Sequence, residues 1–255
     1  MSDKPDFEND EGNKAQRLFK ILEATKAEAR NKKKPNQYNT INQVWASVFD
    51  IDPTDTLLIY KKIGLLSNSL EWAEQQIEAS DIKRKESHTR NLPRIHKALN
   101  QNNIAASWQT IEAQLTEQTL TDLQHTADRL AELLPENEIT SEYLNELMGE
   151  IEALSQLLAE SELDPDLREV LLDLLETARQ MMSDYRIRGS DAIKEIIIRS
   201  VGQLNLKREL CEKEIKNPDF AKFIKMLKTM DTVYSKVTQY GPLLKAGGQC
   251  LIGYL

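Results

Sequence analysis

DPDLREVLLDLLETARQMMSDYRIRG, residues 164–189, decides the fold class. Asp164 is a helix-capping residue type. Pro165 suits the first helical position, where a missing N–H costs nothing, and Asp166 favours the positive end of the helix dipole. Leu167, Leu171, Leu174, Leu175, Ala178 and Met182 then recur at the spacing of one helix face. Gly189 closes the run as a glycine just past a helix does, and Ser190 reads as the cap of a next helix carrying Ile193, Ile196, Ile197 and Val201.

The same grammar extends outward. Thr140 opens a helix with Leu144, Leu147, Ile151, Leu154 and Leu158 on one face. From Thr119, a stripe of Leu120, Leu123, Ala127, Leu130 and Leu134 runs until Pro135 stops it. Asp52-Pro53-Thr54-Asp55 reads as a cap followed by Pro at the first helical position. The helix it starts reaches about Glu86 and carries Leu57, Leu58, Ile63, Leu66, Leu70, Ala73 and Ile77. Thr40 with Gln43 resembles a capping box before Val44, Trp45 and Val48. Ala15, Leu18, Phe19, Leu22 and Ala29 share a stripe over residues 13–30, ended by the basic breaker Asn31-Lys32-Lys33-Lys34-Pro35. Shorter helices are expected over Pro93–Asn100 and Ile104–Leu115, while the charged stretch Asp81–Arg90 reads as either a solvated helix or a loop. Asn217-Pro218-Asp219 opens the last long helix.

The one β-branched run, Ile196-Ile197-Ile198, lies inside a helical period. The expectation is an all-α chain of stacked antiparallel helical hairpins or a helix bundle, elongated or compact. It divides into a tail over 1–12, an amphipathic helix and basic linker over 13–35, a helical core domain over 36–216, and a basic amphipathic helix with an apolar tip over 217–255.

At 255 residues the chain is long enough for one large core or two small ones. A net charge of −8 opposes nucleic acid as a partner of the whole molecule. Two cysteines, Cys211 and Cys250, fit a reducing compartment. No apolar leader follows the polar, acidic start, and no run of about 20 uncharged apolar residues reads as a membrane-crossing helix. A cytoplasmic location is expected, extending to the periphery of the inner membrane.

Site chemistry is sparse, and neither an enzyme activity nor a cofactor is expected. No Gly-x4-Gly-Lys-Ser/Thr or Gly-x-Gly-x-x-Gly run builds a phosphate cradle. Asp122 and His125 stand at i,i+3 without the second half a helical-bundle metal site needs, so no metal is expected. Glu142, Glu146 and Glu150 form a ladder that reads as a solvated face. Cys211 lies between Arg208 and Lys213, and reads as a structural thiol. Tyr185, Arg186 and Arg188 cluster at a helix end. They are suited to clamping an anion or carboxylate, or else to complementing the helix dipole and acidic neighbours.

Two features carry the functional expectation. Between Glu112 and Glu176, 18 acidic residues face two basic ones, Arg129 and Arg168. Such a block attracts a basic partner, or simply keeps the surface solvated. From Pro218 onward five lysines outnumber two aspartates. Phe220, Phe223, Ile224, Leu227, Met230, Val233, Tyr234 and Val237 form one apolar stripe, with Lys222, Lys225 and Lys228 off it. Three uses of the stripe stand: docking on the chain's own core, contact with a protein partner or a second copy, and binding to a membrane surface.

The run Leu171–Glu176, then Asp184-Tyr185-Arg186-Ile187-Arg188-Gly189, Ile193 and Val201-Gly202-Gln203-Leu204, resembles a pattern in a group of uncharacterised bacterial all-helical proteins. Residues around Leu92, Ile95, Ala98, Leu99 and Trp108 are similar to it too. The resemblance covers about residues 55–245 and implies a bacterial, helical protein with no stated activity. The leading expectation is a non-enzymatic interaction or assembly protein that binds a protein partner or a second copy of itself through the C-terminal stripe. The alternative is a membrane-acting effector, a toxin or defence component, whose stripe stays masked until triggered.

Overall fold

The computed structural model describes residues 12–31, 39–137, 139–238 and 241–244. Among them the chain is all-α. It has no strand, only a single antiparallel bridge between Thr40 and Ser107. The chain divides after Pro135 into two units. This corrects the expected core domain over 36–216 with a separate last helix. The helix faces before Pro135 bury among themselves, and those after it, the last helix included, form another core. The expected tail (except Gly12), the linker lysines and the tip beyond Leu244 lie outside the described residues.

The N-terminal unit holds α1 (Lys14–Asn31), α2 (Ile41–Phe49), α3 (Thr56–Ala79), α4 (Lys85–Thr89), α5 (Leu92–Leu99), α6 (Gln109–Glu112) and α7 (Glu117–Leu133). Helix α1 packs against α7, α3 and α2. Trp45, fully buried on α2, stacks on Phe49 at 5.5 Å and meets Trp108 edge-on at 6.1 Å. Charged stems are drawn inside as well. Arg17 and Lys26 are buried, Arg17 donating from Nε to the Gly12 carbonyl and Lys26 pairing with Glu117 at 2.9 Å.

Caps explain most boundaries, and two sequence expectations shift by a few residues. The Thr40–Gln43 capping box forms as expected. Helix α3, however, starts at Thr56 rather than at Pro53. Asp52 accepts from the Thr54 N–H and hydroxyl in a local turn, which leaves Asp55 to cap by accepting from the Leu58 N–H. The charged stretch 81–90 breaks at Ser80 and re-forms only as the short α4. Of the helix expected over Ile104–Leu115, only α6 is helical, because 106–108 pair with 39–41 instead.

The C-terminal unit holds α8 (Ser141–Ala159), α9 (Pro165–Ser183), α10 (Tyr185–Arg188), α11 (Ser190–Leu206), α12 (Arg208–Lys213) and α13 (Pro218–Thr238). Thr140 caps α8, and Asp164 caps α9 by accepting from Asp166 and Leu167. Ser190 is the first residue of α11 rather than its cap, and its hydroxyl donates to Glu136. Helix α9 packs on α8 and α11, and α13 on α11 and α8. The core between them is Leu, Ile and Met with Phe220 and Phe223. Asn137 donates to the Val237 and Lys236 carbonyls, so the start of α8 meets the end of α13 and the two helices run antiparallel.

Candidate functional site

The C-terminal stripe was the first candidate, and the structure corrects it as a surface. Phe220, Phe223, Leu227, Met230, Val233, Tyr234 and Val237 are buried in the core of their own unit, and Ile224 is half-buried against it. The physical reason is the ordinary one: an amphipathic helix gains most by covering its apolar face with the neighbouring helices it can reach, here α11 and α8. Asp231, buried on the same helix, accepts from the Leu243 and Leu244 N–H groups and ties the following turn to α13. No helix among the described residues is long and apolar enough to cross a membrane.

The arginine corner is likewise occupied from within. Tyr185 is buried, Arg186 is exposed, and Arg188 pairs with Glu195, a carboxylate that also holds Arg199 at 2.7 Å. Burial alone raises the Glu195 carboxyl, but the two arginines outweigh it and hold it below its ordinary value. The clamp therefore grips a side chain of its own unit. Asp122 takes hydrogen bonds from Asn91, Gln118 and Arg90, not from His125. No cluster of three or more His, Cys, Asp or Glu suited to a metal occurs among the described residues. Burial pushes the Cys211 thiol up to about 11.

What the outer face of the C-terminal unit presents is charge. On α8, α9 and the turn between them, Glu142, Glu146, Glu150, Glu152, Glu160, Glu162, Asp166, Glu169 and Asp173 are exposed, and none makes an ion pair with a described residue. The sequence-marked ladder Glu142-Glu146-Glu150 runs along one edge of this face. Beside that edge, α8 and α13 part to leave a groove of about 340 Å³, lined by Glu150, Ala153, Leu154 and Leu157 from α8 and by Lys222, Lys225, Met226 and Thr229 from α13. Its floor is apolar and its two rims carry opposite charges. Glu150 and Lys225 make no ion pair with each other or with any described residue. Lys222 turns back to Asp219 on its own helix at 3.1 Å. Tyr143 lies half-buried near this rim. Burial, then the carboxylates of Glu150 and Glu146, push its phenol above the usual value.

Sequence reasoning placed Lys222 and Lys225 off the apolar stripe and the glutamates on a solvated edge, and both placements hold. It missed that Glu150 shares a groove with Lys222 and Lys225, since nothing in the local pattern says which helix lies beside α13. In comparisons with family models, curated proteins and solved structures, nothing matches this chain.

Proposed function

We propose that this chain is a non-enzymatic helical interaction protein that engages a protein partner through the charged outer face of its C-terminal unit. One observation carries the reading: the series of exposed carboxylates on α8 and α9, from Glu142 to Asp173, that make no ion pair among the described residues. Like charges held on a rigid hairpin repel one another and focus a negative field outward, which speeds encounter with a basic surface and is relieved by it. The face disfavours phosphate backbones and anionic lipid for the same reason. With the α13 stripe buried, the reading rests on this face and not on the C-terminal helix that the sequence suggests.

The test is in-cell cross-linking of the intact chain and of two charge variants, one carrying E142Q, E146Q and E150Q, the other D166N, E169Q and D173N. The variants alter exposed side chains only, so both should keep the wild-type circular dichroism and melting curve. The proposal expects cross-linked partners of the wild type to be depleted in at least one variant, and a complex that weakens with added salt. Identical cross-link patterns for all three proteins would overturn it.

A further inference from the structure

We propose that residues 245–255, the apolar run that follows Leu244, are an internal cover: they lie along the seam between α11 and α13 and close the core of the C-terminal unit on that side. The path of the chain is the first support. After α13 ends at Thr238, the chain comes back to Asp231, whose carboxylate accepts from the Leu243 and Leu244 N–H groups. That is a retreat of two turns, about 10 Å along α13. Leu244 is buried there and Leu243 is half-buried. The run therefore sets out from a fixed point on the flank of α13, already travelling back along it. Next on that flank is Ile224, two turns before Asp231 and so on the same helix face, about 10 Å farther along.

The second support is what the seam offers. Lys222, Lys225, Met226 and Thr229 give one edge of α13 to the groove beside α8, so Ile224 and Asp231 belong to the edge toward α11, the other long helix against which α13 packs. Helix α11 contributes Val201, three turns after Ser190 and on the same face. Ser190 donates to Glu136, whose neighbour Asn137 donates to the end of α13, so this face of α11 turns toward α13. Counted from that common end, Val201 lies about 16 Å along α11 and Ile224 about 20 Å along α13, which sets them nearly level. Both pack on the core, yet both are only half-buried. The run itself suits such a strip. Past Lys245 it carries no charge, and it holds Cys250, Leu251, Ile252, Tyr254 and Leu255. Burying these side chains against Val201 and Ile224 removes apolar surface from water on both sides. Eleven residues span the distance to Ile224 whether coiled as a helix or drawn out.

The test reads Cys250 in the full chain. Cys211 and Cys250 are its two cysteines, and Cys211 is buried. Maleimide labelling of Cys250 in the folded protein, located by peptide mass, should run at least about tenfold slower than in a synthetic peptide of residues 245–255. Ile224→Glu should return most of that reactivity. A second measurement decides the matter if Ile224→Glu does not fold. In a Cys211→Ala background, copper–phenanthroline oxidation should join Cys250 to the thiol of Ile224→Cys within one chain. It should not do so for Thr229→Cys, on the α8 edge of the same helix. Labelling of the wild type at the peptide's rate would overturn the cover, as would equal disulfide yields at the two positions. Protection that vanishes on dilution would give the run to a second copy and overturn the assignment too.

Discussion

Residues 12–135 and 136–244 bury helix faces with different materials. The first unit gathers aromatic rings, Trp45, Phe49 and Trp108, and buries two cationic side chains, Arg17 and Lys26. Its helices include pieces as short as α4 and α6, tied by caps and by the 39–41 to 106–108 pairing. The second unit is built mostly from long helices packed through Leu, Ile, Met and Phe, and the charges it buries are carboxylates, Asp184 and Asp231. A charge taken inside needs its own tether, as Lys26 has in Glu117 and Asp231 in the Leu243 and Leu244 N–H groups. The exposed carboxylates of α8 and α9 are held by no such tether among the described residues and remain available for contact, which is why the candidate surface lies on the second unit.

The contrast has a convenient reporter, since Trp45, Trp72 and Trp108 are the chain's three tryptophans and all lie in the first unit. The largest expected effect is Phe223→Ala. It empties a fully buried site in the second core and should cost about 3–5 kcal/mol. Circular dichroism should then show an early loss of the second unit's helices, while tryptophan fluorescence keeps the wild-type midpoint. Equal shifts in both signals would mean that the units unfold as one. Asp231→Ala comes next. Losing the acceptor of two backbone N–H groups should lower the second unit's stability by about 1–3 kcal/mol, read by the same pair of probes.

Acid should separate the units more gently. Asp122 in the first unit sits below its ordinary value, because hydrogen bonds from Asn91, Gln118 and Arg90 outweigh the burial that raises it. Glu195 is lowered in the second unit by Arg188 and Arg199, again against burial. A carboxylate with a lowered folded value stabilises at pH above its unfolded value, and that contribution disappears as pH falls through the lowered one. Stability measured from pH 7 downward should therefore decline more shallowly in D122N by tryptophan fluorescence and in E195Q by circular dichroism. The smallest effects are gains. Gly149 and Gly202 are exposed inside helices with open space where a Cβ would stand, so G149A and G202A should each add about 0.5–1 kcal/mol in denaturant titration.

Much of this architecture is legible in the sequence. The period of Leu167, Leu171, Leu174, Leu175, Ala178 and Met182 required a helix with one buried face, and all six are buried. Asp164 and Thr140 cap where their sequence position says they should. Legibility failed where two local solutions compete within a few residues. Asp52 and Asp55 can both cap, and the Asp52 turn through Thr54 decided which one does. Ile104 and Ile111 are buried residues in a helix-like spacing, yet the segment between them is claimed by backbone pairing with residues 39–41. The candidate site was half legible. The charges could be read off, but the antiparallel meeting of α8 and α13 depends on Asn137 and on a shared core assembled from distant parts of the chain.

Gly189 sits where α10 turns into α11, at φ 58° and ψ −141°, between buried Arg188-flanking Ile187 and buried Ser190. Only a residue whose side chain is a hydrogen atom enters that backbone basin at little cost. In a saturation library scored for soluble expression, this codon should stand out as an isolated spike of intolerance, while codon 202, also glycine, accepts most replacements. Folding itself therefore tolerates new charges on the exterior far more readily than a side chain at that single corner.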